Sequence, residues 1–114
     1  ILYALGYPNR GRPAAGFLDF TKTEISFYPP CRKKFPCLDL AISALNDDGG
    51  ASAVVLNAAN EIAVYRFLRK EFLLGEIPII VEKAMNEFAG EKISDTKDIM
   101  EIDRRVREFT SDLL

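Results

Sequence analysis

The sequence predicts a mainly α-helical protein: a small antiparallel bundle of about four helices, preceded by an extended arm with one or two β-strands. The arm is predicted because four of the six prolines lie within residues 1–30. The bundle is predicted because apolar residues recur at spacings of three and four from Pro36 onward. With 48% hydrophobic residues in 114, the chain can bury a core of ordinary size.

Four helices follow from the apolar spacing, and short connections between them favour antiparallel neighbours. They are predicted over residues 36–46, 52–74, 77–89 and around 99–113, the last as one helix or two. Gly75 and Gly90 are expected to end the second and third helices, and Asp95 or Asp103 to cap the last. The stripe of the first helix that is expected to face the interior consists of Leu38, Ala41, Ile42 and Leu45.

The arm contains one alternating run, residues 23–28, in which Ile25 and Phe27 point the same way. Such alternation predicts a half-buried strand. A lone strand leaves its backbone groups unpaired, so its partner sheet is expected in missing sequence or in another subunit. Pro29 and Pro30 close the strand, because proline lacks the amide donor that a sheet needs.

Few residues in the chain are candidates for a catalytic, cofactor-binding or metal-binding role. Histidine is absent, and Gly49-Gly50 lacks the lysine of a phosphate-binding loop and the third glycine of a dinucleotide fingerprint. Cys31 and Cys37 lack the spacing of a zinc site, and two reduced thiols are expected. A net charge of −2 disfavours nucleic-acid binding, and no apolar run is long enough for a membrane span.

One polar cluster stands inside the second predicted helix, at Asn57, Asn60 and Glu61 among alanines. Asparagine is a poor helix former, so two of them within one helix call for a reason. Two interpretations remain equally open. The cluster is either a hydrogen-bonded contact with another domain or a polar stripe that faces solvent.

Four sequence blocks, in this order along the chain, resemble those of the 1-deoxy-D-xylulose 5-phosphate reductoisomerase family. The blocks are Tyr7-Pro8-Asn9-Arg10, Leu18-Asp19-Phe20, Phe35-Pro36-Cys37-Leu38-Asp39-Leu40-Ala41 and Val55-Leu56-Asn57-Ala58-Ala59-Asn60-Glu61-Ile62-Ala63. The similarity is strong to about Ala63 and continues weakly to the end. Four blocks in the right order are far more specific than any one of them.

The resemblance implies the C-terminal portion of an α/β enzyme of isoprenoid biosynthesis, the methylerythritol phosphate pathway. That family rearranges 1-deoxy-D-xylulose 5-phosphate and reduces the product to 2-C-methyl-D-erythritol 4-phosphate with NADPH and Mg or Mn. It is usually a homodimer, here expected in a bacterial cytoplasm, or in a plastid if the source is a plant or alga. Residues 1–32 then correspond to the end of the catalytic domain with its linker arm, and residues 33–114 to the C-terminal helical bundle.

The resemblance also implies that the family's catalytic, cofactor-binding and metal-binding residues all precede Ile1, so this chain alone is expected to be inactive. Its expected partner is the remainder of the same enzyme. The residues carried over as an inter-domain or structural motif are Pro8, Asn9, Asn57, Asn60 and Glu61. The competing hypothesis is a free-standing helical interaction module that docks a separate partner through Asn57, Asn60 and Glu61.

Overall fold

A computed structural model describes residues 1–12, 16 and 18–113 of the chain. The helices within these residues are α1 (Leu2–Gly6), α2 (Pro36–Leu45), α3 (Ala51–Leu68), α4 (Ile77–Glu87) and α5 (Thr96–Asp112), with a 3₁₀ turn at Leu74–Glu76. The central helix is α3, which contacts α2, α4 and α5. The predicted helical bundle of about four helices is therefore confirmed.

Helix α3 is central because small residues line its buried side. Ala58, Ala59 and Ala63 have no exposed surface, and Val55 is 1% exposed. Alanine lets a neighbouring helix approach closely while still favouring the helical backbone. The side chains that fill the space around these alanines come from the neighbouring helices and include Ile80, Val81, Ile102 and Val106.

The turn between α2 and α3 is organised by Asp47. Its carboxylate accepts hydrogen bonds from the backbone N–H of Gly49, at 3.2 Å, and of Ser52, at 3.0 Å. The second bond satisfies one of the free N–H groups of the first turn of α3, which Gly50 at the N-cap cannot do. These hydrogen bonds, that from Ser52 foremost, hold the pKa of Asp47 below its ordinary value.

Helix α3 ends six residues earlier than predicted, at Leu68 instead of residue 74. Lys70 adopts a left-handed conformation with φ of 64°. The N–H of Lys70 donates to the carbonyl of Phe67 at 2.8 Å, and the N–H of Glu71 donates to the carbonyl of Arg66 at 3.2 Å. This pair of bonds is a Schellman motif, which is usually formed at glycine. The prediction that Gly75 caps α3 was therefore wrong; Gly75 lies in the 3₁₀ turn.

The predicted α4 and α5 agree with the structure within two or three residues at their ends. Gly90, with φ of 85°, follows α4 as expected. The last segment is one helix, and its N-cap is Asp95 rather than Asp103. Asp95 accepts from the backbone N–H of Lys97 and Asp98, while Asp98 accepts from the N–H of Asp95 at 3.2 Å. The pair of carboxylates thus forms a capping box.

The predicted interior stripe of α2 was wrong in this chain. Leu45 is 83% exposed and Ile42 is 37% exposed, and Leu38 and Ala41 are exposed as well. The side of α2 that packs inward carries the buried Ala44 and the half-buried Leu40 instead. Apolar periodicity alone could not choose between the two sides, because α2 carries apolar residues on both.

The arm makes little contact with the bundle. Every described residue from 1 to 34 is exposed, except the half-buried Thr23. The short helix α1 was not predicted. Residues 23–28, predicted as a strand, form neither helix nor strand here, because a strand needs a hydrogen-bonded neighbour and the described part of this chain offers them none.

Candidate functional site

The polar cluster of α3 continues onto α5 through one arginine. Asn57 and Glu61 lie one turn apart, and the side-chain N–H of Asn57 donates to Glu61 Oε1 at 3.1 Å. Arg107 Nη2 on α5 donates to Glu61 Oε2 at 2.6 Å, and Arg107 Nε donates to Asp103 Oδ2 at 2.7 Å. The four side chains join two helices that are distant in sequence.

The charges of this cluster stabilise one another. The Arg107 guanidinium, by its hydrogen bond, holds the pKa of Glu61 below its ordinary value, and the Asn57 amide adds to the effect. Asp103 and Glu61 in turn raise the pKa of Arg107. All members are partly or fully exposed, so solvent weakens these interactions. The arrangement suits a structural contact, because it moves the pKa of Glu61 down and that of Arg107 up, in both cases away from neutral pH.

The other predicted motif residues lie outside this network. Asn60 is half-buried, and Pro8 and Asn9 lie in the exposed arm. The backbone N–H of Asn9 donates to the carbonyl of Gly6 at 2.9 Å, which closes a turn after α1. The structure therefore brings together Asn57 and Glu61 and leaves the other three apart from them.

Sequence reasoning missed Arg107 and Asp103 as members of the cluster. A signal for part of it was present, because an Asp and an Arg four residues apart on one helix face form an ion pair. The hydrogen bond from Arg107 to Glu61 had no local signal in the sequence, since 46 residues separate the two.

Within residues 1–12, 16 and 18–113, no three His, Cys, Asp or Glu side chains converge on a possible metal position. The donor set of the described part thus does not fit a divalent cation. Over the same residues, no helix has both the length and the apolar character needed to cross a bilayer.

Together these features define a class of protein: a small helical domain with a polar inter-helix cluster and a long exposed arm. Comparison with known proteins narrows that class to one family. Residues 1–109 match the family described as the DXP reductoisomerase C-terminal domain. The chain therefore belongs to the DXP reductoisomerase family, of which it represents the C-terminal domain.

Individual relatives agree with this assignment. The 1-deoxy-D-xylulose 5-phosphate reductoisomerase of Laribacter hongkongensis is 42% identical over 108 residues, which cover 94% of this chain and 28% of that protein. The protein of the same name from Nitrosomonas eutropha is 40% identical over 109 residues, covering 95% of this chain and 26% of that protein. The chain therefore spans less than a third of these relatives.

Solved structures show the same fold. The 1-deoxy-D-xylulose 5-phosphate reductoisomerase from Zymomonas mobilis, in complex with NADPH, has a TM-score of 0.82 and 35% identity, over 98% of this chain and 30% of that one. A DOX-P reductoisomerase in complex with NADPH, fosmidomycin and magnesium has a TM-score of 0.83 and 30% identity, over 97% of this chain and 29% of that one. The helical domain therefore keeps its fold within much longer chains.

Proposed function

We propose that this chain is the C-terminal part of an NADPH- and divalent-metal-dependent reductoisomerase that converts 1-deoxy-D-xylulose 5-phosphate to 2-C-methyl-D-erythritol 4-phosphate. The observation that carries the proposal is the family match over residues 1–109, together with a common fold over nearly the whole chain. The enzyme acts in isoprenoid biosynthesis, as a homodimer in the bacterial cytoplasm.

Within that enzyme the chain serves as support. Residues 1–32 complete the catalytic domain and lead out of it as a linker, and residues 33–114 form a separate helical domain. The metal and NADPH are held by residues outside this chain. This division is supported by the exposed arm and by the match of residues 1–109 to the family's C-terminal domain.

The polar motif contributes to the support in two ways. Glu61, held by Arg107, ties α3 to α5 and so keeps the bundle rigid. Asn60, together with Pro8 and Asn9 in the arm, offers hydrogen-bonding and turn-forming groups to the catalytic domain. A rigid supporting domain matters because catalytic groups need positions accurate to a fraction of an ångström.

The activity is tested on the longer protein that contains this chain. Purified with Mg²⁺ or Mn²⁺ and supplied with 1-deoxy-D-xylulose 5-phosphate, it should consume NADPH, measured by the loss of NADPH absorbance, and form 2-C-methyl-D-erythritol 4-phosphate, measured by mass spectrometry. Absence of both signals with every metal tried would refute the proposed reaction.

The supporting role is tested on residues 1–114 alone by calorimetric titration. We expect no saturable binding of NADPH or of Mg²⁺, because the groups that would bind them lie elsewhere. The longer protein is the positive control in the same titrations. Micromolar binding of either ligand by residues 1–114 would show that this part carries a site, and the support role would then be wrong.

A further inference from the structure

Helix α2 is apolar around most of its circumference. Among Pro36–Leu45, Asp39 is the only charged residue. A helix that is hydrophobic all round is normally buried on all sides. In this structure, however, α2 packs against the bundle through Ala44 and Leu40 on one side only. Among the residues that the structure describes, one side of the helix is therefore left without a partner.

The open side is a continuous stripe on the far face of α2. At 100° per residue, Leu38, Ile42 and Leu45 lie roughly 150° around the helix axis from the inward-facing pair, Leu40 and Ala44. Phe35, which directly precedes the helix, falls at the edge of the same stripe and is 60% exposed. We call these four residues, Phe35, Leu38, Ile42 and Leu45, the outer face of α2.

The outer face cannot be closed by turning α2 toward the bundle. The solved relatives share this chain's fold over 97–98% of its length, although each is about three times as long. The bundle therefore has the same packing when the remainder of the polypeptide is attached. A cover for the outer face has to come from outside α2–α5.

We propose that the outer face of α2 is the surface on which the upstream part of the same polypeptide docks. This inference rests on the proposed function, in which that upstream part is the catalytic portion. About 70% of the length of the relatives lies outside the matched region, so the proposed partner is amply long enough. The arm leads directly into Phe35, so the linker joins the helical domain at one residue of the outer face itself.

The charge distribution defines the chemistry of the partner surface. Asp39 flanks the outer face and is paired with Arg32 of the arm. The four residues of the outer face carry no charge, so the matching surface is apolar as well. Exposed apolar patches of this kind mark sites of association rather than free surface.

The inference is tested by photo-crosslinking in the longer protein. A photo-reactive phenylalanine analogue replaces Leu45, which is 83% exposed here, so the bundle tolerates the substitution. The same analogue at Met100, which is 72% exposed on α5 among charged neighbours, is the matched comparison. We expect Leu45 to form crosslinks within one polypeptide to residues upstream of this chain, at a yield well above that from Met100, because the packed core of an interface holds the partner surface against the analogue.

Each other outcome overturns the inference. Crosslinks between two copies would assign the outer face to a second copy, and crosslinks confined to residues 1–34 would assign it to the arm. Equal yields from Leu45 and Met100 would show that capture is not specific. Turnover by the unsubstituted protein is measured separately, so an active enzyme without the expected crosslink contradicts the docking surface and leaves the proposed reaction standing.

A second measurement does not depend on the analogue. In the longer protein, Leu45→Arg places a charge in the apolar contact and should expose the arm, so that limited proteolysis within residues 18–34 becomes roughly tenfold faster. Met100→Arg is the control and should leave the rate unchanged. An unchanged cleavage rate for Leu45→Arg would contradict docking on this face.

Discussion

Thr110 is the buried polar side chain of the described core. It lies on α5 with no exposed surface, and its hydroxyl has no hydrogen-bond partner within residues 1–12, 16 and 18–113. A buried hydroxyl without a partner loses its bonds to water and gains nothing in return. Its methyl group packs like that of valine, so the destabilisation of the folded state at this position comes from the unpaired hydroxyl oxygen alone.

We therefore expect Thr110→Val to raise the free energy of unfolding by about 1 kcal/mol, because it removes the unpaired oxygen and keeps the shape. Chemical denaturation of residues 1–114, followed by circular dichroism, measures the change. Thr110→Ser is the control: it keeps the hydroxyl and loses the methyl group, and should lower the free energy of unfolding by about 1 kcal/mol. A Thr110→Val variant less stable than the parent would contradict this account.

At the scale of elements, the ends of α3 depend on single residues with special backbone geometry. Gly50 at its start and Lys70 after its end both have positive φ, at 73° and 64°. Glycine adopts this conformation freely, whereas a side chain is strained in it. At the C-terminal end of α3, a lysine thus occupies the left-handed position that glycine usually takes.

Replacing that lysine should relieve the strain. We expect Lys70→Gly to stabilise the protein by about 1 kcal/mol, as measured by the midpoint of thermal unfolding together with its enthalpy. The exposed Lys83 on α4 provides the contrast, because Lys83→Gly introduces glycine into a helix interior and should destabilise by about 1 kcal/mol. Equal effects of the two substitutions would show that the left-handed conformation of Lys70 is not strained.

The link between α3 and α5 should respond to acid. The ordinary pKa of a glutamate such as Glu61 is 4.5, and Arg107 lowers it in the folded protein. A carboxyl group whose pKa is lowered by folding adds stability above its unfolded pKa, and this contribution is lost as the pH falls through the folded value. The contribution of Glu61 is therefore complete above about pH 4.5 and declines below it.

We predict that Glu61→Gln is less stable than the parent near neutral pH, and that the difference shrinks as the pH is lowered below 4.5. Urea unfolding across this pH range measures the difference in the free energy of unfolding between the variant and the parent. Glu87→Gln, at an exposed site on α4 outside the polar cluster, is the control for the loss of one carboxyl group. A Glu61→Gln difference that grows on acidification would have the wrong sign for this mechanism.

The positions of the helices could largely be predicted from the sequence. Which side of each helix is buried could not. The starts of α2 and α4 follow from Pro36 and Pro78, and the start of α5 follows from Asp95, because these residues act on their immediate neighbours. The end of α3 was predicted at residue 74 because its apolar periodicity continues through Phe72. The conformation of Lys70 had no sequence signal, since lysine is seldom left-handed.

At the scale of the whole molecule, the arm is the part that the bundle does not stabilise. Phe20, Phe27 and Tyr28 are 72%, 90% and 83% exposed. Apolar side chains exposed to this degree over one segment favour association with another surface. In isolated residues 1–114, the surfaces available for this association are the arm and the outer face of α2 of a second copy.

We accordingly expect residues 1–114 to self-associate as their concentration rises, and deletion of residues 1–32 to reduce that association. Light scattering after size-exclusion chromatography gives the mass of each species. Ile25→Ser combined with Phe27→Ser should act in the same direction as the deletion, whereas Glu24→Gln should not. A parent chain that stays monomeric at all concentrations would show that the apolar residues of the arm do not cause self-association.

The sequence by itself determined the approximate positions of the bundle helices, the scarcity of catalytic groups and the family resemblance. These depend on local periodicity, on residue types and on ordered blocks. Only the tertiary structure decided that α2 faces inward through Ala44, that α3 ends at Leu68 and that Arg107 reaches Glu61. The physical reason is that each of these depends on which distant element lies opposite or on one backbone angle, and periodicity within a single helix carries neither.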